Sequence, residues 1–161
     1  MFVDDDVYIL KGYQRALEQY GTDWDVYFCV SGMEALNLLS KQPMDVLITD
    51  LRMPNMDGII LLEKVLQQYP AIIRMVMSGN VEEPDSFKAA NLAHQLIAKP
   101  CDMMKIRSIV EETCTLRDRL SDKKLIKLIT GIKSLPSVPT LYLQLLREFQ
   151  AEQPTLSKVG E

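Results

Sequence analysis

Asp4, Asp5, Asp50, Ser78 and Lys99 carry chemistry of one kind, and each lies at or just beyond the end of a short apolar run. Aspartates ordinarily ionise well below neutral pH, so Asp50 has the character of a nucleophile toward an electrophilic phosphorus. Three carboxylates in one cleft repel one another, and a divalent cation resolves the conflict. Mg²⁺ prefers hard oxygens and keeps several waters, so Asp5 and Asp50 would be direct ligands, with Asp4 acting directly or through water. The Lys99 ammonium would grip oxygens of a transferring phosphoryl group, and Ser78 would donate a hydroxyl hydrogen bond to it. The small neighbour Gly79 leaves the loop room to close.

For these residues to meet, the chain must deliver them to one edge. Val46 to Thr49 is apolar and β-branched without alternation, the pattern of a strand buried on both faces, and it ends in Asp50. This places the Asp50 carboxylate at a loop rim, near water. The turn Met53-Pro54-Asn55-Met56-Asp57-Gly58 follows, then an amphipathic stretch from Ile59 to Tyr69. Ahead of it, Phe2-Val3 runs into Asp4-Asp5-Asp6, and the period of Ile9, Leu10, Tyr13, Ala16, Leu17 and Tyr20 predicts a helix stopped by Gly21. So few residues precede Asp4 that the first strand reads as clipped, with the natural chain starting further upstream. Trp24 to Val30 is a strand candidate, and Ser31 caps a helix carrying Met33, Leu36, Leu38 and Leu39. Ile72 to Met77 predicts a fourth strand delivering Ser78, then a helix runs through Phe87, Ala90 and Leu92. Gln95 to Ala98 predicts a fifth, delivering Lys99-Pro100. Alternating β and α units imply a mostly parallel sheet with helices on both faces. All the strand ends then point one way, and ligands bind at that edge.

Composition excludes several classes. At 161 residues, 47% hydrophobic and 25% charged, the chain is one globular domain with something left over. A net charge of -4 and a pI near 5.1 argue against a nucleic-acid footprint. No apolar run approaches the roughly 18 residues of a membrane span, no secretory leader precedes the first motif, and a cytoplasmic location is expected. Cys29, Cys101 and Cys114 are odd in number and fit no metal-ligand spacing, so they read as reduced structural thiols. His94 reads as a surface or half-buried residue rather than a catalyst.

Residues 1 to about 118 resemble the receiver domain of two-component response regulators. The likeness rests on the acidic pair after the first strand, the run Asp50-Leu51-Arg52-Met53-Pro54-Asn55-Met56-Asp57-Gly58, Ser78 after the fourth strand and Lys99-Pro100 after the fifth. Singly, each has an ordinary account as a cap or turn; five in register do not. The resemblance implies a flavodoxin-like fold, strand order 2-1-3-4-5, and phosphorylation of Asp50 by a phosphohistidine on a sensor histidine kinase. It also implies that the backbone carbonyl of Arg52 completes the metal site and that the Lys99-Pro100 peptide is cis. The family couples its Ser/Thr to the far face through an aromatic on the fifth strand, a position that falls on Leu96 here. Such a domain is a switch and not an enzyme, with slow self-hydrolysis at most. Two other readings compete. One is a docking module of the same fold that works without phosphorylation. The other is a haloacid-dehalogenase-type phosphohydrolase, which Asp4-Asp5-Asp6 resembles, but directly after Lys99 only Asp102 is available where that family needs an acidic pair.

From Asp102 the pattern stays helical through Ile132, longer than a last receiver helix needs. Residues 119–133 read as a helical linker, its charged face either solvated or flanking a seam that pairs two chains into a homodimer. Residues 134–161, with Leu135-Pro136-Ser137-Val138-Pro139 and the stripe Leu141, Leu145, Phe149, resemble the beginning of a helical HDOD output domain. A cyclic-dinucleotide phosphodiesterase of the HD-GYP type is the competing output. The stripe is expected to pack on the receiver or on a second copy of the chain.

Overall fold

The computed structural model of the chain describes residues 1–80 and 82–120. Five strand and helix units follow in turn: β1 (Phe2–Val3), α1 (Val7–Tyr20), β2 (Phe28–Cys29), α2 (Gly32–Leu39), β3 (Val46–Asp50), α3 (Gly58–Gln68), β4 (Ile73–Ser78), α4 (Pro84–Leu92), β5 (Gln95–Ala98) and α5 (Met103–Leu120). The strands form one sheet in the order β2-β1-β3-β4-β5, and every pairing is parallel. The alternation predicts the parallel sheet, and its flavodoxin-like order is the one the receiver resemblance implies.

Side chains alternate across the sheet, so it has two cores. Val3, Leu47 and Val76 face one way and pack with Ala35 and Leu39 of α2, Leu61, Leu62 and Val65 of α3, and Ala89 of α4. Phe2, Ile48, Met75, Met77 and Ile97 face the other way, against Leu10 and Leu17 of α1 and Ile106 and Val110 of α5. Polar residues set the helix starts. The Asp6 carboxylate accepts from Tyr8 N–H, Ser31 Oγ from Glu34 N–H, and Asp57 from Ile60 N–H. The Glu34 carboxylate in turn accepts from Val30 N–H at 2.8 Å. Gly21 ends α1 at a positive φ of 67, which glycine adopts without strain.

Three sequence expectations need correcting. The strand expected over Trp24 to Val30 narrows to Phe28–Cys29, because its one neighbour among the described residues, β1, offers two residues to pair with. The fourth strand is shifted by one residue, to Ile73–Ser78, so Ser78 ends the strand rather than opening the loop. His94 is buried, not at the surface. Its Nδ1 accepts from Arg74 N–H at 2.9 Å while its own N–H donates to the Arg74 carbonyl at 2.6 Å. Burial, with the nearby Arg74 charge, lowers the His94 pKa to about 4 despite that bond. Arg74, with no exposed surface, donates to the carbonyls of Leu92, Pro70 and Ile72, and burial lowers its pKa to about 10. The linker beyond residue 120 and the segment 134–161 lie outside the described residues, as do their pairing and packing.

Candidate functional site

Parallel register brings the acidic residues together. Val3 lies beside Thr49 in the β1–β3 ladder, so the next residues, Asp4 and Asp50, leave the sheet side by side. Ser78 lies beside Ala98 in the β4–β5 ladder, and the Lys99 N–H donates to the Ser78 carbonyl at 2.7 Å. That tie holds Lys99 at the same edge. Its ammonium lies 2.8 Å from Asp4 Oδ2 and 2.5 Å from Asp50 Oδ1. The remaining carboxylate oxygens accept backbone N–H groups. Asp4 Oδ1 takes Asp6 N–H and Asp50 Oδ2 takes Arg52 N–H, each at 2.9 Å.

The Lys99 pKa reports the balance at this edge. Burial works against the charged form, but the hydrogen bonds and charges of Asp4 and Asp50 outweigh it and hold the pKa above its usual value. Asp4 is 2% exposed and Asp50 9%, so the Asp50 carboxylate lies deeper than a loop rim. Lys99 covers it from one side. From the other, the β3–α3 loop folds back so that Gly58 N–H donates to the Leu51 carbonyl at 2.8 Å.

Asp5 is placed differently from its neighbour. It is exposed, and with Arg52, Met53, Asp57 and Asp85 it lines a shallow hollow beside Asp50. The carboxylates among these are the hard oxygen donors a divalent cation takes, although no three acidic, His or Cys side chains among the described residues already stand at metal-holding distance. Asp5 and Asp50, from adjacent strand ends, and the Arg52 backbone remain the donors that could close on one. The Ser78 hydroxyl is held within its own loop, 2.9 Å from the Asn80 carbonyl and 3.0 Å from the Ser86 hydroxyl. A Cβ built at Gly79 would meet nothing within 4 Å, so the loop has open space beside it. Leu96 is half-buried against the core on the α2, α3 and α4 side, and the Lys99-Pro100 peptide is cis.

Sequence reasoning missed three contacts, two of them made by residues it had named for other reasons. A Cβ at Gly58 would stand 2.3 Å from the Asp50 carbonyl oxygen, so the loop can close beneath Asp50 only without a side chain there. The Asp57-Gly58 pair at a helix start was the available signal. The Arg52 guanidinium pairs with Glu83, linking the β3–α3 loop to the start of α4. Ser86 lies wholly buried in the first turn of α4. Nothing in the sequence distinguishes either from ordinary surface polarity.

A five-stranded parallel sheet that gathers two aspartates and a lysine at its carboxyl edge defines the receiver class of α/β signalling domains. Residues 1–111 match the response regulator receiver domain, and the chain belongs to that family. It is 33% identical over 102 residues to the hydrogenase transcriptional regulatory protein HoxA of Cupriavidus necator, covering 62% of this chain and 20% of that protein. Against the DNA-binding transcriptional regulator NtrC of Escherichia coli it is 32% identical over 110 residues, 68% of this chain and 23% of NtrC. The chain thus spans about a fifth of the length of these curated relatives. Among solved structures, the signal receiver domain of an HD domain-containing protein from Pseudomonas fluorescens Pf-5 superposes with a TM-score of 0.68 at 25% identity. That match covers 76% of this chain and 90% of the other. Domains of this family are signalling modules rather than enzymes that turn over a metabolite. No helix among the described residues is long and apolar enough to cross a membrane.

Proposed function

We propose that this chain is a phosphorylation-dependent switch in which Asp50 accepts a phosphoryl group from a phosphohistidine of a sensor histidine kinase. The observation that carries the reading is the Lys99 ammonium between Asp4 and Asp50 at 2.8 and 2.5 Å, with both acids at the ends of adjacent strands. An Asp50 oxygen attacks phosphorus, the P–N bond breaks, and its electron pair leaves with the imidazole nitrogen, which takes up a proton. Lys99 then exchanges a carboxylate for a phosphoryl oxygen, which costs little because the ammonium never loses an anionic partner. Ser78 turns its hydroxyl to the same group. Asp5, Asp50 and the Arg52 carbonyl would hold Mg²⁺, with Asp4 direct or through water. Bound there, the cation supplies charge neutralisation for the transferring group.

Relay to a C-terminal output domain belongs to the same proposal. The HDOD-like reading of residues 134–161 is supported by their Leu-Pro-x-Val-Pro run, and the Pseudomonas relative also joins a receiver to an HD domain. The reading of residues 119–133 as a linker that pairs two chains has sequence support only. The deciding experiment is incubation with acetyl phosphate with and without Mg²⁺, followed by borohydride trapping and peptide mapping. One Mg²⁺-dependent acyl-phosphate at Asp50, lost in Asp50→Asn, is expected. A label on Asp4 would instead indicate phosphohydrolase chemistry, and no label at all a docking module.

A further inference from the structure

The hydroxyl of Ser78 already has partners. It lies 2.9 Å from the Asn80 carbonyl and 3.0 Å from Ser86 Oγ, and the Ser86 hydroxyl donates to that same carbonyl at 2.7 Å. The Asn80 N–H donates back to Ser78 Oγ at 3.2 Å. A serine hydroxyl has one proton, and the Ser78 proton is taken up inside this triangle. To donate toward a group on Asp50 it must leave. Ser86 then keeps the Asn80 carbonyl, and the Asn80 N–H that Ser78 leaves belongs to an exposed residue, where water can take the place of the hydroxyl. The loop after β4 therefore stays fastened to α4 while the end of β4 rearranges.

We infer that Ser86 is a positioning residue that carries the state of Ser78 into α4, in place of an aromatic ring on β5. The inference rests on the phosphoacceptor reading of Asp50. Leu96, at the ring's position, is packed against the core and has no polar atom to report a change. Ser86 is fully buried, whereas the neighbouring Phe87 is 64% exposed, so a shift of the first turn of α4 alters an apolar surface on the outside of the molecule. The links to this helix through Glu83, from Arg52 and from the Asn80 amide at 3.3 Å, lie at exposed side chains; Arg52 and Glu83 are 67% and 33% exposed, where water and salt screen the pair. Glu83 also gives α4 no side-chain cap, so that pair holds the helix start only from outside.

The test is beryllofluoride with Mg²⁺ added to the full chain, read by amide NMR at two places. In the wild type, resonances of Gly79 and Lys99 beside the site and of Ser86, Phe87 and Lys88 on α4 are expected to shift. In Ser86→Ala the site resonances still shift while the α4 shifts are lost; Ser86→Thr, which keeps the hydroxyl, retains both. An Ala variant whose α4 responds like the wild type overturns the inference, as does a Thr variant that loses the response. If Ser86→Ala does not fold, the wild type decides. Its Ser86 hydroxyl proton is expected to stay protected from exchange after beryllofluoride is added, and exchange at the solvent rate overturns the relay. A wild type that binds no beryllofluoride overturns the reading of Asp50 itself, a failure distinct from one confined to α4.

Discussion

Lys99 and His94 illustrate opposite solutions to burying a titratable side chain. Lys99 keeps its charge because two carboxylates surround it, whereas His94 faces a buried guanidinium and a backbone N–H that needs a neutral acceptor. The His94 pKa of about 4 lies below the unfolded histidine value, so the unfolded chain binds more protons between the two. Stability is therefore fully present above about pH 6.5 and lost as pH falls from there toward 4, a loss on the order of 3 kcal/mol. In His94→Asn the amide oxygen can accept from Arg74 N–H but does not titrate. Urea unfolding should find the variant less stable than the wild type at pH 7, from lost packing, and the gap should narrow as pH falls toward 4.5. A gap independent of pH would refute the buried neutral imidazole.

At the scale of the element, β3 and the loop behind it do most to define the site. The strand pattern Val46 to Asp50 was legible because a run buried on both faces cannot alternate, and Ser31 announced its helix as a cap. The closeness of the loop was not legible, since it depends on where α3 lands over the strand. Gly58→Ala tests it. An alanine in a helix is worth up to about 1 kcal/mol over glycine, but here its Cβ would meet the backbone at Asp50 and Leu51, at 2.3 and 2.9 Å. Backbone cannot rotate aside, so overpacking should win, with a net destabilisation of about 1–3 kcal/mol in denaturant unfolding and slower phosphorylation by acetyl phosphate. A variant as stable and reactive as the wild type would show that the loop has slack.

At the scale of the whole molecule, both faces of the sheet are covered by helices within the described residues, and the carboxyl edge gathers like charges. A cation that binds only the folded state stabilises it by mass action. Millimolar Mg²⁺ should therefore raise the thermal midpoint of the wild type, with little effect on Asp5→Asn, because Asp5 is the acidic residue of the cluster that Lys99 does not engage. Equal shifts in both proteins, followed by scanning calorimetry, would place the cation elsewhere.

By itself the sequence determined the alternation of strands and helices, the direction of the sheet and the identity of the residues at its edge. These follow from local period and from the rule that parallel strands present their ends together. Only the tertiary structure decided that Lys99 bridges Asp4 and Asp50, that Asp5 stands apart in a hollow, that His94 is buried on Arg74 and that Ser86 holds the loop of Ser78. Each of these depends on distances between elements far apart in the chain, which packing fixes and no local pattern encodes.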